Sequence, residues 1–393
     1  MDWGGAEYSQ AGEDICKKYT ELNPNIKVKY KVIPWQGRYE AFSIAIASGE
    51  PPDVSTGGGY QQHQFAEVGE ILSLDSIVEQ WRKEGKLNDF PEGLIDYFKY
   101  KGIQVGIPFN LDLRGIWYRI DMFKEAGIEI PKTWDDLMNA AKKLTTKDHY
   151  GIVFSCSDAL ANSVAINFFL NNGGGIFTEK GESNWTDPLN RQALDFLRAF
   201  KDNKTCPEGI ASYTEADADK VFLQGKAAMY FGSMGVSDKA AAQGKDFEDK
   251  LGLLPVLESP NKIKGTLVCL NALMAYKQSR NPEEAKAFLK WWSENNSDLW
   301  TKGKCSPFPA RKSFFNMDYF KNARLRKAAI DQLVPYMKTG VSHMKSANSV
   351  VATVDGERWW RDALQEAMVG EKDNETILKE LDDKMKKLIL VQR

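Results

Sequence analysis

The chain has 393 residues, too many for one ordinary hydrophobic core, so we expect two or three domains. Its hydrophobic share of 42% and charged share of 27% are those of a globular protein. Lys and Arg number 52 against 54 Asp and Glu, and the resulting formal charge of -2 excludes an electrostatic case for general binding to nucleic acid or to an anionic membrane. The longest apolar stretches, such as 267–276, fall short of the roughly 20 residues that span a bilayer, so we predict no transmembrane helix.

Helical and extended patterns alternate in the first part of the chain. Residues 8–22 predict a helix that stops at the Asn-Pro-Asn sequence 23–25, and 26–33 alternate as a strand should. A second helix is predicted over 38–47 and a second strand at 51–54. This order predicts an α/β fold.

The stretch 106–145 contains the most informative pattern. Apolar runs at 103–107 and 113–118 predict two strands, and the residues between them predict a connector that reverses or crosses over. Asn110, Asp112 and Arg114 lie at this connector. It is therefore the first candidate for a polar site.

Two helices are predicted after that connector. Asp121 can cap a short helix that ends at Gly127, and Thr133 with Asp136 forms a capping box for a longer one. Further predicted elements are a strand at 150–155, helices at 162–170 and 190–200, a helix and strand within 221–230, strands at 252–255 and 265–276, a helix at 281–292, and two helices in the tail.

Motifs for catalysis, metals and nucleotides are weak or missing in the sequence. The three histidines, His63, His149 and His343, form no HxxxH or Cys/His cluster, and the glycine runs lack the register of a phosphate loop. Asp217 and Asp219 lack the glycine and terminal glutamate of a calcium loop, so we interpret them as a solvated helix start. We predict no metal and no cofactor.

The five cysteines lack any CxxC spacing, so they predict neither a zinc site nor a redox motif. Because their number is odd, at least one thiol stays free. Most of them are expected to be small buried apolar residues, and they are Cys16, Cys156, Cys206, Cys269 and Cys305.

Five motifs in order give the chain a family resemblance. They are SGEPPDV at 48–54, the stretch from GIPFNLD at 106–112 to FKEAG and PKTWDDL, FLQGKAAMY at 222–230, the returning strand and helix within 252–292, and SPFPARKS at 306–313. In this order the chain resembles the family 1 extracellular solute-binding proteins of ABC transporters, whose members bind maltose and other oligosaccharides.

The resemblance implies a two-lobe periplasmic-binding-protein fold of type II. Residues 1–109 and 265–310 would form the N-terminal lobe, and 114–260 and 311–393 the C-terminal lobe. Hinges would lie near 110–113, 261–264 and 310–313. The ligand would bind in a cleft between the lobes, which would close on it.

The resemblance also implies a set of ligand-binding residues at loops and strand tips. They are Glu7, Tyr60, Gln61, Asn110, Asp112, Asn162, Met234, Asn271, Arg311 and Glu357, together with Trp35. Met234 stands where many members place a stacking tryptophan, and Asn271 replaces the usual glycines. For Trp35, a place in the cleft and a place in the core are both open. Arg114 and Arg311 leave an acidic sugar open, and internal salt bridges are an equal alternative.

Sugars need aromatic rings beside fixed polar partners, and the aromatic share here is 11%, with 11 Trp and 14 Tyr. We therefore predict a non-catalytic receptor that delivers an oligosaccharide to an ABC-type permease. The alternatives are the same fold with a non-sugar solute and a carbohydrate-active cleft enzyme with an unrecognised acid pair.

The resemblance further implies an extracytoplasmic monomer, in the periplasm or lipid-anchored at the cell surface. No charged and then apolar leader precedes Trp3, so the signal peptide is expected to have been removed. Only two residues stand before Trp3, where members have a full first strand. We expect that strand to be shortened here.

Overall fold

A computed structural model of the chain describes residues 3–34, 37–342, 344 and 349–392. Helices and strands mix along the chain, as the sequence predicts. The strands are β1 (Val54–Gly57), β2 (Lys99–Tyr100), β3 (Ile103–Gln104), β4 (Ile107–Arg119), β5 (Tyr150–Phe154), β6 (Ala227–Ser233), β7 (Leu251–Leu253), β8 (Thr266–Ala275), β9 (Phe308–Pro309) and β10 (Met337–Lys338).

The helices of the first half are α1 (Gly5–Leu22), α2 (Arg38–Ala47), α3 (Gln61–Glu67), α4 (Asp75–Lys83), α5 (Leu94–Tyr97), α6 (Ile120–Glu125), α7 (Trp134–Leu144), α8 (Ala159–Asn171) and α9 (Pro188–Asp202). Those of the second half are α10 (Glu215–Leu223), α11 (Gly235–Ala242), α12 (Lys245–Glu248), α13 (Pro282–Asn295), α14 (Asp298–Thr301), α15 (Lys312–Phe315), α16 (Asp318–Lys321), α17 (Arg324–Gln332), α18 (Ser349–Gly356), α19 (Trp359–Val369) and α20 (Asn374–Gln392). Short 3-10 turns occupy Lys86–Asp89, Ile210–Ser212 and Val334–Tyr336. Within the described ranges, no helix is both long enough and apolar enough to cross a bilayer.

The chain divides into two compact units, and each is discontinuous in sequence. Unit 1 comprises the described residues of Met1–Asp112, Leu270–Asn322 and Ser346–Ala352, and unit 2 those of Leu113–Cys269, Ala323–Lys345 and Thr353–Arg393. Two of the boundaries fall inside strands, after Asp112 in β4 and after Cys269 in β8. The lobe bounds and hinges expected from the resemblance remain predictions.

The sheet of unit 1 joins segments that are far apart in sequence. β1 runs antiparallel to β8, from Val54 opposite Ala275 to Gly57 opposite Ala272, and β9 pairs with β4. An apolar core lies beside this sheet, with Phe42 of α2 and Phe65 of α3 against Tyr276 and Met274. Its burial explains why α2 and α3 pack here.

In unit 2, β6 is the strand that joins the others. β4 runs antiparallel to β6, with Arg114 opposite Ser233, and β5 runs parallel to it on the other side. α7 packs on β5 and α10 on β6, while α8, α9 and α19 pack on one another. The strand ends of this sheet position the polar groups described below.

The predicted capping box of α7 is confirmed. The Thr133 side chain accepts a hydrogen bond from the Asp136 backbone N–H at 3.1 Å, and the Asp136 carboxylate accepts from the Thr133 N–H at 3.0 Å. The apolar face of α7 is buried, with Trp134 1% exposed and Leu137 fully covered. Local sequence therefore determines both where this helix begins and which face it buries.

The predicted connector between two strands at 103–118 is wrong. β4 continues through it from Ile107 to Arg119, with Asn110, Asp112 and Arg114 in the middle of the strand. Apolar and polar residues alternate here because successive side chains of one strand point to opposite faces. Proline is tolerated as the second residue because it lies near the strand start.

The predicted strand at 26–33 is also not formed. The structure assigns no strand to these residues, although partly buried Ile26, Val28 and Tyr30 alternate with exposed lysines as the pattern predicts. A strand requires a neighbouring backbone to pair with, and no described residue forms a ladder with this segment. The pattern identified the buried face correctly, but a single sequence cannot supply the partner.

Candidate ligand-binding site

Polar side chains collect at one edge of the sheet in unit 2. β5 and β6 are parallel, so their carboxyl ends open to the same side. Ser155 and Asp158 follow β5, and Ser233 is the last residue of β6. Ligands of open α/β sheets bind outside the carboxyl ends of parallel strands. We call the set Arg114, Ser155, Asp158, Glu215 and Ser233 the β5–β6 edge.

Asp158 fixes two helix starts at the β5–β6 edge. One of its carboxylate oxygens accepts from the Leu160 N–H at 3.0 Å, which caps α8, and from the Ser155 hydroxyl at 2.5 Å. Its other oxygen accepts from the backbone N–H of Glu215, the first residue of α10, at 2.6 Å. Asp158 therefore satisfies backbone N–H groups at the starts of both α8 and α10.

Glu215 contacts the last residue of β6, Ser233. The Ser233 hydroxyl donates to its carboxylate at 3.0 Å. Burial is the main cause that raises the pKa of Glu215, and Asp219 adds to it, whereas Arg114 and Lys239 act in the opposite direction. Arg114 stands opposite Ser233 in the strand register, so a cation, a hydroxyl and a carboxylate share this edge.

The interpretation of Asp219 as part of a solvated helix start is wrong. Asp219 is 4% exposed on α10 and forms an ion pair with Lys239 of α11. Its neighbour Asp217 does have the predicted role, because it completes a capping box with Thr214. Sequence spacing identified the cap but could not show that α11 packs over the next turn.

In unit 1 the structure brings two of the predicted residues together. The Asn271 amide on β8 donates to the Asn110 carbonyl oxygen on β4 at 2.5 Å, and both residues are 1% exposed. The Asn110 amide nitrogen and the Asn271 carbonyl oxygen are buried and have no hydrogen-bond partner in the described chain. Buried polar atoms are nearly always hydrogen-bonded. This amide pair therefore offers one donor, the Asn110 amide nitrogen, and one acceptor, the Asn271 carbonyl oxygen, to a ligand.

Tyr60 and Gln61 are buried at the start of α3. The Gln61 side-chain oxygen accepts from the Gly58 N–H at 3.0 Å, and its amide donates to the Arg38 carbonyl at 3.5 Å. These bonds hold the loop after β1. Tyr60 is 7% exposed at the residue before the helix.

The two predicted acidic residues of unit 1 differ in exposure. Glu7 is exposed in the first turn of α1, where Lys304 donates to it at 2.7 Å and holds the pKa of its carboxyl below the usual value. Asp112 is partly buried on β4, two residues after Asn110. Alternation along the strand places Asp112 and Asn110 on the same face.

Asn162 and Met234 of unit 2 are buried. Asn162 on α8 donates to the Asp355 carbonyl at 3.3 Å and accepts from the Arg361 N–H at 2.8 Å, so it ties α8 to the start of α19. Met234 is 2% exposed immediately before α11.

Arg311 is buried among partners of its own unit, unit 1. Its guanidinium donates to Asp89 at 3.0 Å and to the Ser293 carbonyl at 2.8 Å. It also lies 4.8 Å from the ring centre of Trp81 and 4.6 Å from that of Phe90. Of the two alternatives that the sequence left open for Arg311, the contacts favour the internal salt bridge.

Glu357 is exposed and has partners within its own unit, unit 2. It accepts from the Trp359 ring N–H at 2.8 Å and from Lys384 at 3.2 Å, and these bonds lower the pKa of its carboxyl. Trp35 lies outside the described residues. Its two alternatives, cleft and core, therefore both stay open.

The described side chains include no group of three or more His, Cys, Asp or Glu that could hold a metal ion. All five cysteines are described and none of them forms a disulfide, and four of them are buried while Cys269 is partly exposed.

Three residues of the β5–β6 edge, Glu215, Asp158 and Ser233, were not predicted from the sequence. A signal for Glu215 was present, because the Thr214–Asp217 capping box makes it the first helical residue. Ser233 ends the strand that follows α10. Their hydrogen bond depends on how α10 packs on β6, which local patterns do not give.

Comparisons with known proteins identify the fold class and the family. A sugar transporter from Arthrobacter chlorophenolicus A6 with bound laminaribiose superimposes with a TM-score of 0.87 and 28% identity, covering 98% of this chain and 97% of the other. The expected α/β periplasmic-binding-protein fold is thereby confirmed.

Two curated relatives are similar at a lower level. A binding protein of Brucella abortus is 25% identical over 338 residues, which cover 84% of this chain and 80% of the relative. The diacetylchitobiose binding protein DasA of Streptomyces coelicolor is 24% identical over 296 residues, covering 74% of this chain and 67% of the relative. Residues 3–296 match the family of bacterial extracellular solute-binding proteins, and this chain belongs to that family.

Proposed function

We propose that the protein is a carbohydrate-binding receptor that delivers an oligosaccharide to an ABC importer. The observation that carries the proposal is the likeness to the laminaribiose-bound transporter, which extends over nearly the whole of both chains at 28% identity. The relative from Streptomyces that binds diacetylchitobiose supports a disaccharide or a longer sugar as the ligand class.

The side-chain chemistry of the candidate residues suits a sugar. Hydroxyl groups both donate and accept hydrogen bonds, so they match sites that offer both functions at fixed positions. The buried Asn110–Asn271 pair has an unused donor and an unused acceptor. The β5–β6 edge adds the Ser233 hydroxyl beside Arg114 and Glu215. We propose that the Asn110–Asn271 pair contacts the sugar in unit 1 and that the β5–β6 edge does so in unit 2.

The receptor is proposed to be non-catalytic, so the sugar leaves it unaltered. The partners are an oligosaccharide and the membrane subunits of an ABC-type permease, and the protein acts outside the cytoplasm as a monomer that does not bind nucleic acid. Its family, whose members are extracellular solute-binding proteins, supports this assignment.

A panel experiment tests the function. Intrinsic tryptophan fluorescence and thermal shift are measured against neutral disaccharides and oligosaccharides, uronic-acid oligosaccharides, polyols and polyamines. We expect a saturable response to neutral sugars, and a reducing-end assay should detect no product. A response to polyamines or polyols alone would favour the non-sugar alternative. Product formation would favour the enzyme.

A further inference from the structure

We infer that Glu215 is a positioning residue of the sugar site in unit 2, and that its ionised form prepares Ser233 and Arg114 to receive a sugar hydroxyl. This inference rests on the proposed function and deepens it. Glu215 acts through its neighbours at the β5–β6 edge. It accepts the hydrogen bond from the Ser233 hydroxyl, and its negative charge attracts the Arg114 guanidinium.

The first step is the direction of the hydrogen bond to Ser233. A serine hydroxyl has one proton to donate and two lone pairs to accept with. An ionised carboxylate only accepts, so the 3.0 Å bond commits the Ser233 proton to Glu215. The Ser233 oxygen then presents only lone pairs to a ligand, and it selects a sugar hydroxyl that donates.

The second step is the charge balance around Glu215. The charged and titratable groups near it are Arg114 on β4, Asp219 on α10 and Lys239 on α11, together with Tyr230 on β6. Asp158, after β5, binds the Glu215 backbone N–H. Lys239 is paired with Asp219, and the charge of Arg114 stabilises the ionised form of Glu215 at the end of β6.

Protonation of Glu215 would reverse both effects. The protonated Glu215 could donate a hydrogen bond to the Ser233 oxygen. That bond would use the lone pair that otherwise accepts from the sugar hydroxyl. The attraction between Arg114 and the Glu215 carboxylate would also be lost. Because burial raises the pKa of Glu215, this change occurs at a higher pH than it would for an exposed glutamate.

The direction of the pH dependence follows by linkage. The sugar binds more tightly to the protein with ionised Glu215. Its affinity is therefore highest well above the folded-state pKa of Glu215 and falls as the pH drops through that pKa. The loss of one bond network of this kind corresponds to about a fivefold change in affinity.

The test is calorimetric titration with the sugar that gives the strongest response in the panel, at about pH 7.5 and at about pH 5. We expect the wild-type affinity to be lower at the lower pH, with about fivefold as the upper limit of the change. Glu215→Gln keeps an acceptor for Ser233 but cannot titrate, so its affinity should be nearly the same at both. Glu215→Ala removes the acceptor and should weaken binding at both.

The control is Glu208→Gln, which replaces an exposed carboxylate of the same unit and should keep the wild-type pH dependence. Near-ultraviolet circular dichroism checks that each variant is folded. If the wild type and Glu215→Gln share the same pH dependence, or if the wild type shows none, the inference is wrong while the receptor function stands. If no sugar binds the wild type, the proposed function fails and the inference fails with it.

Discussion

The Arg311 guanidinium is buried in unit 1 between one carboxylate and two aromatic rings. Its partners Asp89, Trp81 and Ser293 come from distant parts of unit 1. The resemblance assigns Arg311 to the ligand, whereas its contacts are those of a buried structural ion pair. A stability measurement separates the two roles.

We predict that Arg311→Ala lowers the free energy of unfolding by about 3 kcal/mol, because it leaves the Asp89 carboxylate without its buried partner. Arg311→Lys should lose a part of this, since a lysine cannot form the same planar contacts with two rings. Urea denaturation measures both, with exposed Arg280→Ala as the control. An unchanged stability with a lost sugar affinity would instead support a ligand role.

We expect His63 to make the stability of the protein depend on pH. It is fully buried on α3, where its Nδ1 accepts from the Gln62 amide at 3.0 Å and its Nε2 donates to the Tyr97 carbonyl at 3.1 Å. This arrangement fits the neutral ring. A second proton would lie on Nδ1, where it would face the Gln62 amide, which is itself a donor. Burial lowers the pKa of His63 to about 4.

The unfolded chain binds a proton at His63 near pH 6.5, and the folded chain does so only near pH 4. The contribution to stability is therefore complete above the unfolded-state pKa and is lost as the pH falls between these values. Relative to neutral pH, about 2 kcal/mol should be lost by about pH 5. In urea titrations, His63→Gln should lack this part of the pH dependence. Parallel curves for the wild type and the variant would contradict the account.

At the scale of single elements, local sequence predicts helix ends best. The capping box of α7 is an example, because Thr133 and Asp136 bind each other's backbone within three residues. Strands are harder to predict. The pattern at 26–33 predicted the correct buried face, but the segment forms no strand. The polar stretch around Asp112 was predicted to separate two strands, whereas it lies in the centre of β4.

The α7 cap yields a matched pair of variants. Thr133→Ala removes the acceptor for the Asp136 N–H and should cost about 1 kcal/mol of unfolding free energy. Thr133→Ser keeps the hydroxyl and should retain most of the stability. Thermal or urea unfolding measures the difference, and equal losses for both variants would show that the methyl group matters more than the cap.

Packing of α7 on β5 depends on a glycine. A β-carbon at Gly151 would lie 2.1 Å from the Ala141 carbonyl oxygen, and backbone cannot move away cheaply. Gly151→Ala should therefore cost about 3 kcal/mol. Gly356→Ala is the control, because a β-carbon there meets nothing within 4 Å. A stability of Gly151→Ala equal to the control would mean that α7 lies farther from β5.

At the scale of the molecule, five ordered motifs were enough to predict the fold and the family. The two discontinuous units could not be derived from composition or periodicity, because segments such as 54–57 and 272–275 pair across more than two hundred residues. The resemblance supplied that information. It supplied less about the site. Asn162, Arg311 and Gln61 are all hydrogen-bonded within their own units, and Glu215 was not among the candidates.

The family resemblance implies that the two lobes close when sugar binds, and this remains a prediction. Small-angle X-ray scattering should show a smaller radius of gyration at saturating sugar than without it. A sugar that does not bind in the panel is the control. An unchanged radius at saturation would remove closure from the mechanism but leave binding intact.

The most direct test of the account is isothermal titration calorimetry with laminaribiose and diacetylchitobiose, followed by chromatography of the recovered sugar. The account predicts a saturable heat for at least one oligosaccharide, one site per chain, and a sugar that is chemically unaltered after hours with the protein. No heat from any oligosaccharide, with saturable binding of a polyamine or another non-sugar solute, would contradict it.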